Sequence, residues 1–280
     1  MPGRYGPGIL PLITGHPVML IDLKGKVAIV TGAGRGIGRI IAETLAAEGA
    51  VTIAVDFRQD LLEEVGTVWS DRGWAGAQLS CDVRDREQCR TIAEAVAERF
   101  GRIDILVNNA GVAGGNRVET LEEAVWDDNM DTNLKGTFLM CQAVVPIMKA
   151  QGSGRILNAS SFAAIVPSLG GAAYASSKAG VIALTRVLAG ELGPHEITVN
   201  CYAPGMVPTL MNRFAEAPPD RKEALLDTLS LRRWGEPGDI ANLICFLASD
   251  LAGYITGAMI DTSGGKLATQ MPWMAYRDKR

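Results

Sequence analysis

The sequence predicts an α/β fold in which one doubly wound parallel sheet of about seven strands carries helices on both faces. Short apolar runs alternate with helical patterns from Lys24 to Asp261, as in successive βαβ units. The apolar runs are continuous rather than alternating, which is typical of strands covered by helices on both sides. With 280 residues, 48% of them hydrophobic, the chain can bury one large core.

The apolar runs predict strands at residues 27–30, 51–55, 77–81, 105–107, 155–159, 197–202 and 258–261. Helical patterns lie at residues 40–48, 61–69, 84–100, 121–150, 173–192 and 240–248, with short helices expected within 210–231. The helix at 121–150 is expected to bend or break near residues 131–133. We therefore predict an extension at residues 1–23, one domain at 24–265 and a tail at 266–280.

A glycine-rich loop, Thr31-Gly32-Ala33-Gly34-Arg35-Gly36-Ile37-Gly38, joins the first strand to the first helix. Glycines permit a tight turn and let phosphates approach the backbone, and the helix offers free N–H groups and its positive dipole end. The spacing Gly-x-x-x-Gly-x-Gly differs from the commonest dinucleotide fingerprint. The loop predicts a site for a dinucleotide pyrophosphate. The alternative is a glycine-rich turn that binds no ligand.

Tyr174 and Lys178 are one turn apart near the start of a predicted helix, so that phenol and ammonium can lie side by side. A nearby positive charge lowers the pKa of a tyrosine from about 10 and suits it to proton exchange. Ser161 ends the fifth strand, where its hydroxyl could hold a substrate carbonyl. The alternatives are a half-buried tyrosine beside a surface lysine, and a serine that closes a turn.

Ligands of doubly wound sheets bind beyond the carboxyl ends of the strands. Residues that suit a binding site follow six predicted strands: the glycine loop, Asp56, Asp82, Asn108, Ser161 and Pro204. This common location predicts that they form one site.

The motifs Thr31-Gly32-x-x-x-Gly36-x-Gly38, Asn108-Asn109-Ala110-Gly111, Asn133, Ser161, Tyr174-x-x-x-Lys178 and Pro204-Gly205 follow one another in a characteristic order. In this order they resemble the short-chain dehydrogenase/reductase family, over about residues 24–265. The resemblance implies a single-domain Rossmann fold. It also implies an oxidoreductase that moves hydride between a nicotinamide cofactor and a secondary alcohol or ketone.

The resemblance also implies four catalytic residues. Tyr174 is the acid/base, Lys178 lowers the pKa of Tyr174 and binds the ribose, and Ser161 orients the substrate oxygen. Asn133 holds a water in a proton relay through Lys178. As an alternative, Asn133 could cap a helical segment, since asparagine is frequent at such positions.

Further residues are implied to bind the cofactor: Thr31, Gly32, Gly34, Arg35, Gly36, Ile37, Gly38, Asp56, Phe57, Asp82, Val83, Asn109, Ala110, Gly111, Tyr174, Lys178, Pro204, Gly205, Val207 and Thr209. Asp82 and Val83 would face the adenine, Asn108 would support the sheet, and Thr209 would bind the nicotinamide carboxamide.

Asp56 and Arg35 favour different cofactors. Asp56 ends the second strand, where a carboxylate usually accepts hydrogen bonds from the ribose hydroxyls of NAD and would repel the 2′-phosphate of NADP. Arg35 resembles a basic residue of NADP-preferring members, and Arg58 could add to its effect. We expect Asp56 to prevail, because Arg35 can turn into solvent at little cost. NAD is therefore the predicted cofactor and NADP the alternative.

The substrate is predicted to be a neutral or apolar alcohol or ketone, because the expected lining segments 112–114, 162–169 and 206–214 carry no charge before Arg213. The alternative function is an NADPH-dependent reductase of 3-oxoacyl thioesters of the acyl-carrier-protein type. A nucleotide-binding regulator without turnover is a third possibility, which the complete set of catalytic residues disfavours.

Composition disfavours several other classes. A net charge of −4 argues against nucleic-acid binding, and no apolar run approaches the length of a membrane span. Five scattered cysteines indicate neither zinc nor disulfides, and no cluster predicts a metal, so a cytoplasmic location is expected. The tail beyond Gly265 is longer than is usual in the family. A homotetramer or dimer is expected, with this tail near a subunit boundary or else disordered.

Overall fold

Seven strands form one parallel sheet in the computed structural model, which describes residues 21–212 and 214–279. They are β1 Val27–Thr31, β2 Val51–Asp56, β3 Gly76–Ser80, β4 Ile105–Asn108, β5 Gly154–Ala159, β6 Ile197–Pro204 and β7 Met259–Thr262. Their spatial order is β3-β2-β1-β4-β5-β6-β7, with every neighbouring pair parallel. The predicted doubly wound sheet is confirmed.

The helices are α1 Gly36–Ala47, α2 Gln59–Arg72, α3 Arg86–Phe100, α4 Glu123–Asn129, α5 Gly136–Gln151, α6 Ala172–Leu192, α7 Pro219–Leu226 and α8 Pro237–Ala248. The start of α3 lies later than the pattern predicts. The Asp85 carboxylate accepts hydrogen bonds from the backbone N–H groups of Glu87 and Gln88, at 2.8 and 3.1 Å. Asp85 is therefore the N-cap, and α3 begins at the next residue, Arg86.

The predicted interruption of the long helix is a π-helical turn, Met130–Lys135, between α4 and α5. The backbone stays right-handed helical at its two ends, so the helix widens locally instead of breaking. Such single wide turns are frequent at functional sites. Asn133 lies within this turn and is fully buried.

Alternate residues of β1 contribute to two apolar layers. Ala28 and Val30 pack with residues of α1, α2 and α8, whereas Val27 and Ile29 pack with residues of α3 and α5. Burial on both faces explains why the strand is apolar at every position. These layers fix the carboxyl ends of the strands along one edge, where the predicted site residues lie.

The order of the strands reverses beside β1, which has β2 on one side and β4 on the other. Successive chain segments leave β1 and β4 toward opposite ends of the sheet. A crevice forms at such a switch point, beyond the carboxyl ends of the two strands. The glycine loop after β1 and the Asn109–Gly111 segment after β4 therefore face each other.

The first and the last described segments of the chain both contact the body of the domain. The predicted extension lies mainly outside the described part of the chain, but Leu23 is fully buried in the core. The tail forms a 3₁₀ helix at Pro272–Lys279, and the Tyr276 hydroxyl donates to the Ser230 carbonyl oxygen at 2.7 Å. In residues 21–212 and 214–279, no helix combines the length and apolarity that crossing a membrane requires.

Candidate active site

A cleft of about 570 Å³ runs along the carboxyl edge of the sheet. Most predicted site residues line it: Gly32, Arg35, Gly36, Ile37, Gly38, Asp56, Phe57, Asp82, Val83, Asn109, Ala110, Gly111, Ser161, Tyr174, Lys178, Pro204, Gly205, Val207 and Thr209. Thr31, Gly34 and Asn133 lie behind its wall. The predicted single site therefore corresponds to one continuous cleft with a supporting layer.

The glycine loop is shaped by backbone that other residues rarely adopt. Gly32 and Gly36 have φ angles of +64° and +58°. A Cβ atom at Gly32 would lie 2.8 Å from the Ala110 Cα, so a side chain here would push the loops after β1 and β4 apart. The N-cap of α1, Arg35, makes no side-chain capping bond, which leaves the first N–H groups of the helix available to a ligand.

Thr31 and Gly34 support the cleft rather than line it. The Thr31 hydroxyl accepts hydrogen bonds from the backbone N–H groups of Asn109 and Ala110, at 3.0 and 3.1 Å. A Cβ atom at Gly34 would lie 2.8 Å from the Leu61 Cβ. Thr31 thus joins the loops after β1 and β4, while Gly34 lets α2 approach the loop.

The two asparagines after β4 hold different parts of the sheet. Asn109 donates to the carbonyl oxygens of Thr31 and Gly32, at 3.3 and 3.4 Å, and accepts from the Tyr202 hydroxyl at 3.3 Å. Asn108 donates to the Asn158 side chain at 2.9 Å, which joins β4 to β5. Asn108 therefore supports the sheet, as expected, and Asn109 braces the glycine loop.

Asp56 is fixed at the end of β2 by the backbone. One carboxylate oxygen accepts from the Gly34 N–H and the other from the Arg58 N–H, each at 3.0 Å. Asp56 is only 8% exposed, so its charge cannot turn away from the cleft into solvent. Arg35 is exposed, and the Arg58 guanidinium pairs with Asp60 at 2.5 Å.

Asp82 is paired with the neighbouring Arg84, whose guanidinium lies 2.7 Å from the carboxylate. The hydrogen bonds from Arg84 hold the pKa of Asp82 below its usual value. Arg84 also contacts Asp128 of α4 at 3.0 Å. The loop after β3 is thereby attached to the helix that leads to Asn133.

Ser161, Tyr174 and Lys178 come together at the centre of the cleft. Ser161 follows β5 and accepts from the Ala163 N–H at 3.1 Å, so its turn-closing role is real. Tyr174 and Lys178 lie in the first turns of α6, with the ammonium 5.9 Å from the centre of the phenol ring. Lys178 is 4% exposed and donates to the Ala159 carbonyl oxygen at 2.9 Å. It is therefore not a surface lysine.

Burial acts on the two ionisable groups in opposite senses. It raises the pKa of Tyr174, and a hydrogen bond with Ser161 partly opposes this rise. Burial lowers the pKa of Lys178 to about 8. The protein groups around Tyr174 thus favour the neutral phenol. Lys178 was expected to lower the pKa of Tyr174. In this structure the pKa of Tyr174 is raised by burial, and the hydrogen bond that opposes the rise comes from Ser161.

Asn133 holds the loop after β4 in place. Its side chain donates to the Val112 carbonyl oxygen at 3.0 Å and accepts from the Val112 N–H at 2.8 Å. It also donates to the Ser177 hydroxyl at 3.0 Å. Asn133 lies inside the π-helical turn and its side chain bonds other segments, so the capping alternative does not describe it.

The far end of the cleft is lined by uncharged side chains. They are Phe162, Ala163, Ser168, Leu210, Met211, Asn212 and Phe214. Asn212 fixes this loop by accepting from the Thr209 N–H at 3.1 Å and donating to the Val207 carbonyl oxygen at 2.7 Å. Arg213, which could have met an anionic group, lies outside the described residues.

Known proteins share this arrangement of motifs and fold. A sequence model of a protein family, described as enoyl-(acyl carrier protein) reductase, matches residues 32–266. A 3-oxoacyl-(acyl-carrier-protein) reductase of Staphylococcus epidermidis is 42% identical over 243 residues, which cover 86% of this chain and 98% of that protein. The chain belongs to the short-chain dehydrogenase/reductase family.

Solved structures agree with the assignment to the short-chain dehydrogenase/reductase family. Levodione reductase is 35% identical with a TM-score of 0.84, over 89% of this chain and 100% of that one. A gluconate 5-dehydrogenase from Burkholderia cenocepacia, solved with NADP and tartrate, is 31% identical with a TM-score of 0.86. That match covers 89% of this chain and 98% of the dehydrogenase. The chain is therefore an oxidoreductase of the family that uses NAD or NADP.

The described residues of this short-chain dehydrogenase/reductase fit a dinucleotide. The loop is open at Gly36, where the nearest atom to a Cβ would be the Thr209 Cγ2 at 3.9 Å, and the free N–H groups of α1 suit a pyrophosphate. Gly111 lets the loop after β4 pack closely against two site residues, since a Cβ there would lie 2.9 Å from the Asn133 Oδ1 and 3.4 Å from the Lys178 Nζ. Within residues 21–212 and 214–279, no group of acidic, histidine or cysteine side chains has the arrangement of a metal site.

Several contacts of this short-chain dehydrogenase/reductase lack a signal in the sequence. Tyr202 lies within an apolar strand, and Ser177 looks like any polar residue of α6. Asn212 in its loop also resembles an ordinary surface asparagine. The hydrogen bonds of Tyr202 to Asn109 and of Ser177 with Asn133 join segments that are distant in the chain. The bond from Asn212 to Val207 depends on how its loop folds back on itself.

Proposed function

We propose that this protein reduces 3-oxoacyl thioesters to 3-hydroxyacyl thioesters, with NADH as the preferred hydride donor. The observation that carries the proposal is the meeting of Ser161, Tyr174 and Lys178 in one cleft with the glycine loop. The uncharged far end of the cleft suits an acyl chain. The similarity to a 3-oxoacyl-(acyl-carrier-protein) reductase supports this substrate class over a simple alcohol.

In this proposal the protein positions the carbonyl and supplies a proton. When bound, the nicotinamide ring supplies the hydride for the carbonyl carbon. Ser161 holds the carbonyl oxygen, and the neutral Tyr174 phenol donates the proton that converts this oxygen to a hydroxyl. Lys178 binds the ribose of the cofactor. Asn133 keeps the loop at Val112 in the position that the substrate requires.

The preference for NADH over NADPH rests on Asp56. Its carboxylate is held by two backbone N–H groups and would lie against a 2′-phosphate. The NADP bound by the gluconate 5-dehydrogenase relative and the exposed Arg35 favour the second candidate, an NADPH-dependent reductase. A buried, fixed carboxylate should outweigh an exposed, flexible guanidinium.

The test is a turnover assay with both cofactors, followed by absorbance at 340 nm. The substrates are 3-oxoacyl thioesters of coenzyme A and of acyl-carrier protein, and a matched set of simple ketones and secondary alcohols. We expect kcat/KM for the thioesters to exceed that for the simple ketones at least about tenfold. Higher values for simple ketones or alcohols would favour the dehydrogenase/ketone reductase interpretation. An absence of turnover with every substrate would favour a nucleotide-binding regulator.

A further inference from the structure

The C-terminal tail is bonded to the segment between α7 and α8. The Leu231 N–H donates to the Gly264 carbonyl oxygen at 3.0 Å, and the Ser230 hydroxyl donates to the Gly265 carbonyl oxygen at 3.1 Å. The Tyr276 hydroxyl then donates to the Ser230 carbonyl oxygen at 2.7 Å. The turn at residues 230–231 is therefore held both by the end of the domain and by the tail.

Arg232 connects this turn to α7. Its guanidinium contacts Asp227 at 2.9 Å and Glu223 at 2.6 Å, and lies 6.0 Å from the centre of the Tyr276 ring. Arg232 has a φ of +48°, a left-handed conformation that arginine rarely adopts. Such a conformation persists only where surrounding contacts hold it, and here these come from α7 and the tail.

The same turn also reaches the cleft. Trp234 stacks on Phe214, with ring centres 5.8 Å apart and planes at 11°. Phe214 lines the uncharged end of the cleft. A chain of contacts thus leads from Tyr276 through residues 230–234 to a side chain that faces the proposed substrate.

We propose that Tyr276 is a positioning residue that holds α7 and residues 230–234 beside Phe214 at the substrate end of the cleft, and so sets the affinity for substrate. The effect of Tyr276 on substrate affinity rests on the function proposed above. The effect of Tyr276 on the stability of α7 does not depend on that function. Tyr276 acts within its own subunit through Ser230 and Arg232. Cofactor binding at the opposite end of the cleft does not depend on it.

The test compares Tyr276→Ala, Tyr276→Phe and the control Tyr254→Ala, a tyrosine that is fully exposed. Amide hydrogen exchange is measured over residues 219–231 without substrate, and KM and kcat are measured with a 3-oxoacyl thioester. For Tyr276→Ala we expect the rate of hydrogen exchange over residues 219–231 to rise about fivefold or more, the effect of one lost hydrogen bond. We expect the KM for the thioester to rise by a similar factor. The kcat and the affinity for NADH should stay within about twofold. Tyr276→Phe should lie between, since it keeps the ring beside Arg232.

Unchanged exchange in Tyr276→Ala would overturn the proposal, and so would faster exchange with an unchanged KM. A smaller assembly in sedimentation, at unchanged exchange within α7, would instead assign the tail to a contact between subunits and would also overturn it. If no thioester is reduced, the proposed function fails, but hydrogen exchange still decides whether Tyr276 holds α7.

Discussion

At the scale of single residues, the site depends on how deeply its ionisable groups are buried. Burial raises the pKa of Tyr174 and lowers that of Lys178 to about 8. A phenol that stays protonated at neutral pH is suited to donate a proton during reduction. A lysine with a lowered pKa loses its charge at a pH that experiments reach easily, which makes its state measurable.

Replacement of Tyr174 by Phe removes the hydroxyl and keeps the ring. We expect turnover to fall by at least about two orders of magnitude, the usual contribution of an acid/base group. Cofactor affinity, measured by fluorescence titration, should change little. The matched control is Tyr254→Phe, since Tyr254 is fully exposed and does not line the cleft. Activity of Tyr174→Phe within a few-fold of the wild type would contradict the assigned role.

Lys178 also predicts how stability depends on pH. The pKa of Lys178 is about 8 in the folded chain, against 10.5 for a free lysine. Between pH 8 and pH 10.5, the Lys178 amine is therefore mostly neutral in the folded chain and takes up a proton when the chain unfolds. The free energy of unfolding should therefore rise with pH, by about 2 kcal/mol between pH 8 and pH 10. Urea unfolding of the wild type and Lys178→Met measures the difference. Equal slopes for the two proteins would show that Lys178 keeps its ordinary pKa.

Asp56 predicts the choice of cofactor. We expect kcat/KM with NADH to exceed that with NADPH at least about tenfold. The reason is that the 2′-phosphate dianion of NADPH would lie against the Asp56 carboxylate, and the repulsion costs several kcal/mol. Asp56→Ala should narrow or reverse this ratio, with Arg35 then free to pair with the phosphate. Asp71→Ala is the control, because Asp71 is an exposed carboxylate of α2 that does not line the cleft. Equal wild-type kcat/KM with the two cofactors would show that Arg35 affects the choice of cofactor at least as strongly as Asp56 does.

At the scale of secondary-structure elements, the π-helical turn Met130–Lys135 is the feature that brings α4, α6 and the loop after β4 together. Asn133 bonds Val112 on one side and Ser177 on the other. Ser177 in turn donates to the Tyr174 carbonyl oxygen at 2.8 Å. The position of the catalytic helix is therefore coupled to the turn through buried hydrogen bonds.

Replacement of Ser177 by Ala removes the 3.0 Å hydrogen bond from Asn133 and leaves the Asn129 Oδ1, at 3.4 Å, as the remaining acceptor for that donor. We expect a loss of about 1 kcal/mol in the free energy of unfolding, the usual net contribution of one hydrogen bond. The kcat should fall several-fold because Asn133 and α6 are less well positioned. Ser176→Ala is the matched control, since the neighbouring Ser176 is exposed. Denaturation curves and steady-state kinetics that are equal for the two variants would argue against the coupling.

Local patterns predicted the elements well and their supporting contacts poorly. The seven apolar runs and the interruption near residues 131–133 were readable because apolar periodicity and glycine spacing are local properties. The predicted start of α3 at Arg84 is too early, because the Asp85 side chain caps the helix by accepting from the N–H groups of Glu87 and Gln88. The supporting positions of Thr31 and Gly34 depend on contacts across the sheet and with α2, which no local pattern encodes.

At the scale of the whole molecule, large apolar side chains remain exposed on helices that include α5 and α6. Phe138 of α5 is 38% exposed and Val187 of α6 is 57% exposed. Large apolar residues at such positions are a reason to expect association between copies of the chain. A homotetramer or dimer therefore remains our prediction.

Sedimentation velocity tests this prediction directly. We expect the wild type to sediment as a tetramer or dimer and Val187→Glu to shift toward smaller species, because a charge buried between subunits costs several kcal/mol. Val118→Glu is the control, as Val118 is 76% exposed and lies outside these helices. A wild-type monomer at micromolar concentration, or identical sedimentation of both variants, would remove the idea.

The reversal of strand order beside β1 has a further consequence for how such an enzyme can change over evolution. The residues expected to surround the adenosine lie before Gly111 in the chain, whereas those that line the uncharged end of the cleft lie after Ser160. Selection for a new substrate can therefore act on the second half of the gene while the first half stays under constraint. The sheet, with β4 and β5 joined by Asn108 and Asn158, is the part that both halves must inherit together.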